Sequence, residues 1–287
     1  MLDIIADGIT LGAVYALVAT GFSLIFRTMG LFNIAQGHLL ALAPYVLYAL
    51  MTDHGWSFWS AAVGAVALMG AIAAATHVLL LRRLLGREHW AAIMVTVGLV
   101  IVLEAVMEIL WGSNSFQLDT PWELRRVVVG GVETTNVGIA SVMVAIVAIG
   151  TLAVTFQGTT FGARLRAAAT NPRLAAVSGV NINLMFAVTW AIAGVLAAVA
   201  GIEYASVTVA GPALVGLGLR SFPAALVGGL DSLPGSAVGG LIVGITESWA
   251  VSQFGAEAAD AAVFAVLIVA LTLRPHGVLG RAHAQRV

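Results

Sequence analysis

The 287-residue sequence contains no cysteine and no lysine. The first absence excludes disulfides, thiolate metal sites and cysteine nucleophiles. The second leaves arginine, 13 of them, as the sole strongly basic side chain and excludes Schiff-base chemistry. Without a G-x-x-x-x-G-K-[ST] string there is also no standard phosphate-binding loop, so any ATP-driven process involving this chain needs the nucleotide bound elsewhere. Charge of either sign is scarce. Only 9% of residues are Asp, Glu, Lys or Arg, against about a quarter in soluble domains, and the net charge of -1 gives no nucleic-acid signal. No polar tract is long enough to form a soluble domain. The opening MLDIIADGIT has Asp3 and Asp7 where a secretory signal is basic, and reads as the start of a first membrane span.

What the chain does have is apolar length. Hydrophobic residues make up 60% of it, with a mean hydropathy of +1.01. This composition predicts one polytopic membrane domain over 1–287, all-α, because helices satisfy their own backbone in lipid. Apolar runs long enough to cross a bilayer occur at 5–26, 30–51, 59–81, 90–111, 137–157, 182–202 and 235–254. Two weaker candidates follow: 207–229 is interrupted by Gly, Pro and Arg220, and 258–273 is short. The expectation is eight or nine spans. If they alternate, Arg27, Arg82, Arg83, Arg87, Arg164, Arg166, Arg173, Arg274, Arg281 and Arg286 share one side, and only Arg125 and Arg126 fall opposite. The arginine-rich side is then cytoplasmic, with the N-terminus outside and the C-terminus inside.

Two polar stretches interrupt the spans. The outer one, 112–136, is predicted to form a small cap or a lateral helix. The inner one, 158–181, reads GTTFGARLRAAATNPRLAAVSGVN. It predicts a helix up to Thr170, a second short helix started by Pro172 and capped by Asn171, and a stop at Gly179. Short helices lying under a membrane are natural docking elements.

Within the membrane, the segment 211–247 holds nine glycines between Gly211 and Gly244. Gly235, Gly239, Gly240 and Gly244 form a small-residue stripe for close helix packing. Pro212, Gly216, Gly218 and Pro223 around Arg220 predict broken helix, lining a path or an interface together with Gly228 and Gly229. Glu104 and Glu108 share a helix face near the outer end of their span, His77 reads as a satisfied histidine near the inner interface, and Glu203 and Glu247 read as span-end residues. Trp56, Trp59, Trp90, Trp111 and Trp122 flank spans, as interfacial anchors do. Asn33, Gln36 and His38 open an apolar run just after Arg27. With Asn33 as a helix cap, the three lie just inside the cytoplasmic boundary, or deeper if a re-entrant turn precedes the helix. They either tie that helix to a neighbour or line the inner end of a translocation path. No His, Asp and Glu set has metal-ligand spacing, and no convergent catalytic set is apparent.

The stretch 8-GITLGAVYALVATGFSLIFRTMGLFNIAQGHLLALAPY-45 resembles the N-terminal region of the branched-chain amino-acid ABC transporter permeases. So do 161-FGARLRAAATNPRLAAVSGVN-181, 218-GLRSFPAALVGGLDSLPGSAVGGLIVGITE-247 and 273-LRPHGVLG-280, in the expected order. Two departures stand out. Gln36 and His38 replace the histidine and acid of the family's N-F-A-H-G-E string, and Asp231 occupies a position that is commonly small. The resemblance implies an ABC importer permease fold and no enzymatic activity of the chain itself. It implies partners: two cytoplasmic ATPases that hold ATP and Mg, a second permease subunit, and a periplasmic or extracellular solute-binding protein. It also makes 158–181 the ATPase coupling loop, with Arg164, Arg166, Ala167, Asn171, Ala175 and Gly179 as contact candidates. The expected cargo is an amino acid, branched-chain or similar, or a small amide. The rival reading is a secondary transporter or channel, for which Glu104, Glu108 and Arg220 are the available coupling groups.

Overall fold

The computed structural model describes residues 1–84 and 89–280; Arg87, Arg281 and Arg286 of the arginine tally lie outside the described residues. The bundle is assembled around α1 (Leu2–Met29), which is buried from Gly12 to Ile25 without interruption. Around it stand α2 (Gln36–Thr52), α3 (Phe58–Ala75), α4 (His89–Trp111), α5 (Asn136–Gly158), α6 (Thr160–Thr170), α7 (Pro172–Val177), α8 (Ile182–Ala205), α9 (Leu214–Gly228), α10 (Leu233–Phe254) and α11 (Ala258–Leu273). A π turn at Thr76–Leu80 and a 3-10 turn at Leu81–Leu84 extend α3.

The most intimate pairing is between α1 and α10, which run antiparallel. A Cβ on Gly240 would come within 2.5 Å of the Ala16 backbone nitrogen, and one on Gly12 within 2.9 Å of the Leu241 Cα. The predicted stripe thus brings backbones into direct contact, which is how helices gain dispersion energy where lipid supplies no hydrophobic drive. The stripe divides between two neighbours: Gly240 and Gly244 face α1, whereas Gly235 and Gly239 face Gly228 and Ala224 of α9.

Five described helical segments are long and apolar enough to cross a membrane alone: Leu2–Met29, Phe58–Leu84, Trp90–Trp111, Asn136–Gly158 and Ile182–Ala205. The remaining expected spans are shorter, with 17 residues in α2, 15 in α9 and 16 in α11, or are diluted by glycine, serine and Glu247, as in α10. The chain is an integral membrane helical bundle. An expectation of eight or nine crossings rests on those four helices, whose length and polarity alone do not require them to cross.

The stretch 112–136, expected on the outer side, is not a lateral helix. It forms an antiparallel hairpin of β1 (Arg126–Val129) and β2 (Val132–Thr135), closed by Gly130 and Gly131, both at positive φ. The β-branched run of Val127 to Val129 and the Gly-Gly turn favour this pairing over helix. At this end the Asp3 carboxylate accepts a 2.9 Å hydrogen bond from the Glu133 N–H, and Trp122 stacks edge-on against Phe58. At the opposite end Arg27 lies 4.7 Å from the Phe156 ring, and His77 meets Phe186. There the C-terminal segment folds under the α9–α10 turn: the N–H groups of Val278 and Leu279 donate to the carbonyls of Val227 and Gly228 at 2.8 and 3.0 Å. The first residue and the end of the described chain therefore lie at opposite ends of the bundle.

Candidate functional site

The helical pair α6–α7 sits at the end of the bundle shared by Arg27 and the C-terminal segment. Its local geometry follows the sequence closely. Thr159 caps α6 by accepting from the Gly162 N–H at 3.0 Å, Asn171 caps α7 by accepting from the Leu174 N–H at 3.1 Å, and Gly179 ends the segment at φ 83. Leu165 and Ala168 of α6 and Ala175 of α7 are buried against the bundle. The six contact candidates therefore divide. Arg164, Ala167, Asn171 and Gly179 are exposed, and Arg166 is half-buried with Nη1 lacking an acceptor. Ala175 is only 4% exposed and turned inward, so it fixes α7 to the bundle instead of meeting a partner. The outward face belongs to Leu174 and Val177, 64% and 88% exposed, neither of which composition had singled out.

A second polar cluster lies deeper. Asn33 does not cap α2; Ala35 holds that position, and α2 starts at Gln36. Asn33 instead closes a turn, its Oδ1 accepting from the Ala35 N–H at 3.2 Å and its Nδ2 donating to Gln36 Oε1 at 3.0 Å. Gln36 Nε2 then donates to the Ala193 carbonyl in the middle of α8 at 2.8 Å. Gln36 is level with Gly21 of α1, eight residues before Met29, which is about 12 Å from that end of the helix at 1.5 Å per residue. The chain thus leaves α1, re-enters through 30–35 and starts α2 inside the bundle. His38 is buried there with Nδ1 unpartnered. One residue earlier, Gly37 meets Gly218 of α9 backbone to backbone, a Cβ on Gly37 standing 3.2 Å from the Gly218 Cα.

On the far side of this contact, α9 is unbroken. Gly216, Gly218 and Pro223 suggested irregular backbone around Arg220, yet the helix runs from Leu214 to Gly228 through all of them. The glycine at 218 admits α2, and the breaks fall before Leu214 and at Gly229. Arg220 is tied internally: Nε donates to Asp260 of α11 at 2.6 Å and Nη1 to Glu247 of α10 at 2.9 Å. Glu247 also accepts from the Tyr15 hydroxyl of α1 at 2.5 Å. Glu247 is therefore a buried member of a four-helix network, not a span-end residue, and Arg220 is a neutralised clamp. Gly228, Gly229, Gly235 and Gly239 lie at backbone contacts between α9, α10 and the C-terminal segment.

Comparison with known proteins decides the family. The family model described as "Branched-chain amino acid transport system / permease component" matches residues 4–272. The chain belongs to this permease family. It is 28% identical to the high-affinity branched-chain amino acid transport system permease protein LivH of Escherichia coli K12, covering 98% of this chain and 96% of that protein. It is also 28% identical to the permease protein BraD of Pseudomonas aeruginosa, over 99% and 97% of the two chains. Among solved structures, PsaBC from Streptococcus pneumoniae in complex with Fab shares the fold, with a TM-score of 0.53 and 12% identity over 94% of this chain and 91% of that one.

Within the permease, the remaining ionisable groups take distinct places. Glu104 and Glu108 are exposed on α4. His77, expected to be satisfied, is fully buried in the π turn with neither ring nitrogen partnered. Both carboxylate oxygens of Glu203 are covered and unpartnered. Among the described residues no group of three or more His, Asp and Glu is arranged to hold a metal.

Proposed function

We propose that this permease is the membrane-spanning subunit of an ABC importer that moves an amino acid, branched-chain or similar, or a small amide across the bacterial inner membrane. ATP and Mg are held by two cytoplasmic ATPase subunits. A second permease subunit completes the path, and a periplasmic or extracellular binding protein delivers the solute. The N-terminus is outside and the C-terminus cytoplasmic, which puts α6–α7 on the ATPase side. The observation that carries this reading is the presentation of Leu174 and Val177 on α7, and of Arg164 on α6, by a capped helical pair whose opposite face is buried in the bundle.

Force applied there has a physical route inward. Ala175 is packed into the bundle, α7 leads through 178–181 directly into α8, α8 holds Gln36 through the Ala193 carbonyl, and Gly37 beside it bears on Gly218 of α9. Displacing α7 therefore shifts the start of α2 and the first turns of α9 together. The test is reconstitution with the ATPases and the binding protein in liposomes. Arg164→Glu, or Leu174→Asp with Val177→Asp, is expected to abolish solute-stimulated ATP hydrolysis and uptake while leaving the bundle folded. Uptake by the chain alone, driven by a proton or sodium gradient, would show that it is a secondary transporter.

A further inference from the structure

Away from the docking segment, a cavity of about 690 Å³ opens between α3, α5 and α8. It starts at Phe58, Trp59 and Trp122, at the hairpin end of the bundle, and reaches Ala67, Val144 and Val199. From residue 58 to residue 67 this is about 13 Å along α3, close to half of a hydrocarbon core about 30 Å thick. The groove therefore spans one leaflet. Its walls face outward, with Trp59, Val63 and Val144 exposed, and it is apolar along nearly its whole length.

Among its polar lining residues, two at the hairpin end carry covered side-chain atoms without a partner. The Glu203 carboxylate, two residues before the end of α8, has no hydrogen-bond partner on either oxygen. The Trp122 indole N–H is likewise buried and unpartnered. Unmade hydrogen bonds at covered polar atoms are costly, more so for a charged group. One covered carboxyl group, which a bound cation would hold ionised, and one lone donor, above a leaflet-deep apolar channel, together specify a ligand. It carries a cationic donor, an anionic acceptor and a long hydrocarbon tail.

We infer that the groove is a binding site for a zwitterionic phospholipid with a primary ammonium headgroup, of the phosphatidylethanolamine type, in the leaflet at the hairpin end. The ammonium binds Glu203, a phosphate oxygen accepts from Trp122, and an acyl chain lies along Val199, Val144 and Ala67. Phosphatidylglycerol offers Trp122 the same phosphate but brings no cation to Glu203, and is discriminated against.

The test uses the purified full-length chain, delipidated in detergent and titrated with phosphatidylethanolamine, phosphatidylglycerol or free leucine, with bound lipid counted by native mass spectrometry. The wild type should retain phosphatidylethanolamine about tenfold better than phosphatidylglycerol, the weight of one charge-assisted contact. Glu203→Gln should erase that preference. Ala67→Trp, which fills the deep end at an exposed position, should lower retention of both lipids without disturbing the core. Equal retention of the two lipids by the wild type, or a preference unchanged in both variants, overturns the proposal. So does displacement of the bound lipid by leucine, which would make the groove a solute site. The cysteine-free background permits one further arm. Disulfide cross-linking of Val63→Cys between two copies in the membrane would show the groove covered by protein and overturn lipid occupancy, whereas its absence leaves the face to lipid as proposed.

Discussion

Replacing Arg220 by methionine should destabilise the permease more than replacing Arg220 and Glu247 together. Methionine keeps much of the side chain's length but removes the charge, leaving Glu247, 4% exposed, with the Tyr15 hydroxyl as its remaining partner among those described. Stripping one member from a buried pair costs about 3–5 kcal/mol, because the other charge stays desolvated and uncompensated. The Arg220 side chain is 27% exposed, and Tyr15 still donates, so about 3 kcal/mol is the appropriate end of that range. Asp260, at 67% side-chain exposure, returns to solvent and contributes about zero. Adding Glu247→Gln removes the stranded charge while an amide oxygen can still accept from Tyr15. At least half the loss, about 1.5 kcal/mol, should be regained. Chemical unfolding of the wild type, Arg220→Met, Glu247→Gln and the double variant in mild detergent, followed by helical circular dichroism, reads the cycle directly. If Arg220→Met and the double variant unfold at the same denaturant concentration, Glu247 is not held as a charge by Arg220, and the clamp is misread.

Three further outcomes follow from the packing and the caps. Gly240→Leu should prevent recovery of monodisperse protein, since even a Cβ would strike the Ala16 backbone, whereas Gly98→Ala, with open space around it, should be neutral or stabilising by up to about 1 kcal/mol; size-exclusion profiles separate the two. Asn171→Ala removes the Leu174 N–H acceptor and should loosen α7 by about 1 kcal/mol, lowering the coupling of ATP hydrolysis to uptake without changing yield. Gln36→Leu leaves the buried Asn33 amide without its acceptor and should cost about 1–3 kcal/mol in the same unfolding assay, with uptake falling further than stability alone predicts.

Local chemistry was the most readable part of the sequence. Asn171-Pro172 marked the start of α7 to the residue and Gly179 its end to within two, because capping oxygen, fixed φ and left-handed glycine act within one turn. The glycine stripe of α10 was equally clear, although its division between α1 and α9 depends on which helices flank it. Distant pairings were hidden. Arg220 looked like a bare intramembrane charge because its partners lie 27 and 40 residues away, and no periodicity within α9 points to them. The depth of Asn33 and Gln36 was ambiguous for a similar reason: the acceptor on α8 and the neighbouring Gly21 of α1 show that 30–35 climbs back into the bundle. Ala175 was chosen by family pattern, and a helical wheel through α7 would have corrected it. Leu174 and Val177 are three residues apart and share a face, while residue 175 turns away. The hairpin at 126–135 was also open to reading from Val-Val-Val-Gly-Gly, had strand alternatives been weighed inside a chain so dominated by helix.

The segment under the α9–α10 turn bears on the order in which the molecule can be finished. A helix end leaves its last carbonyls without partners, and in α9 those of Val227 and Gly228 are satisfied by Val278 and Leu279, made well after α10 and α11. During synthesis α9 and α10 must therefore wait in the bilayer with that bend incomplete until Val278 and Leu279 leave the ribosome. Biogenesis thus has a late clasp, and a stop codon directly after Leu273 would release a chain with every described helix present and the bend still open.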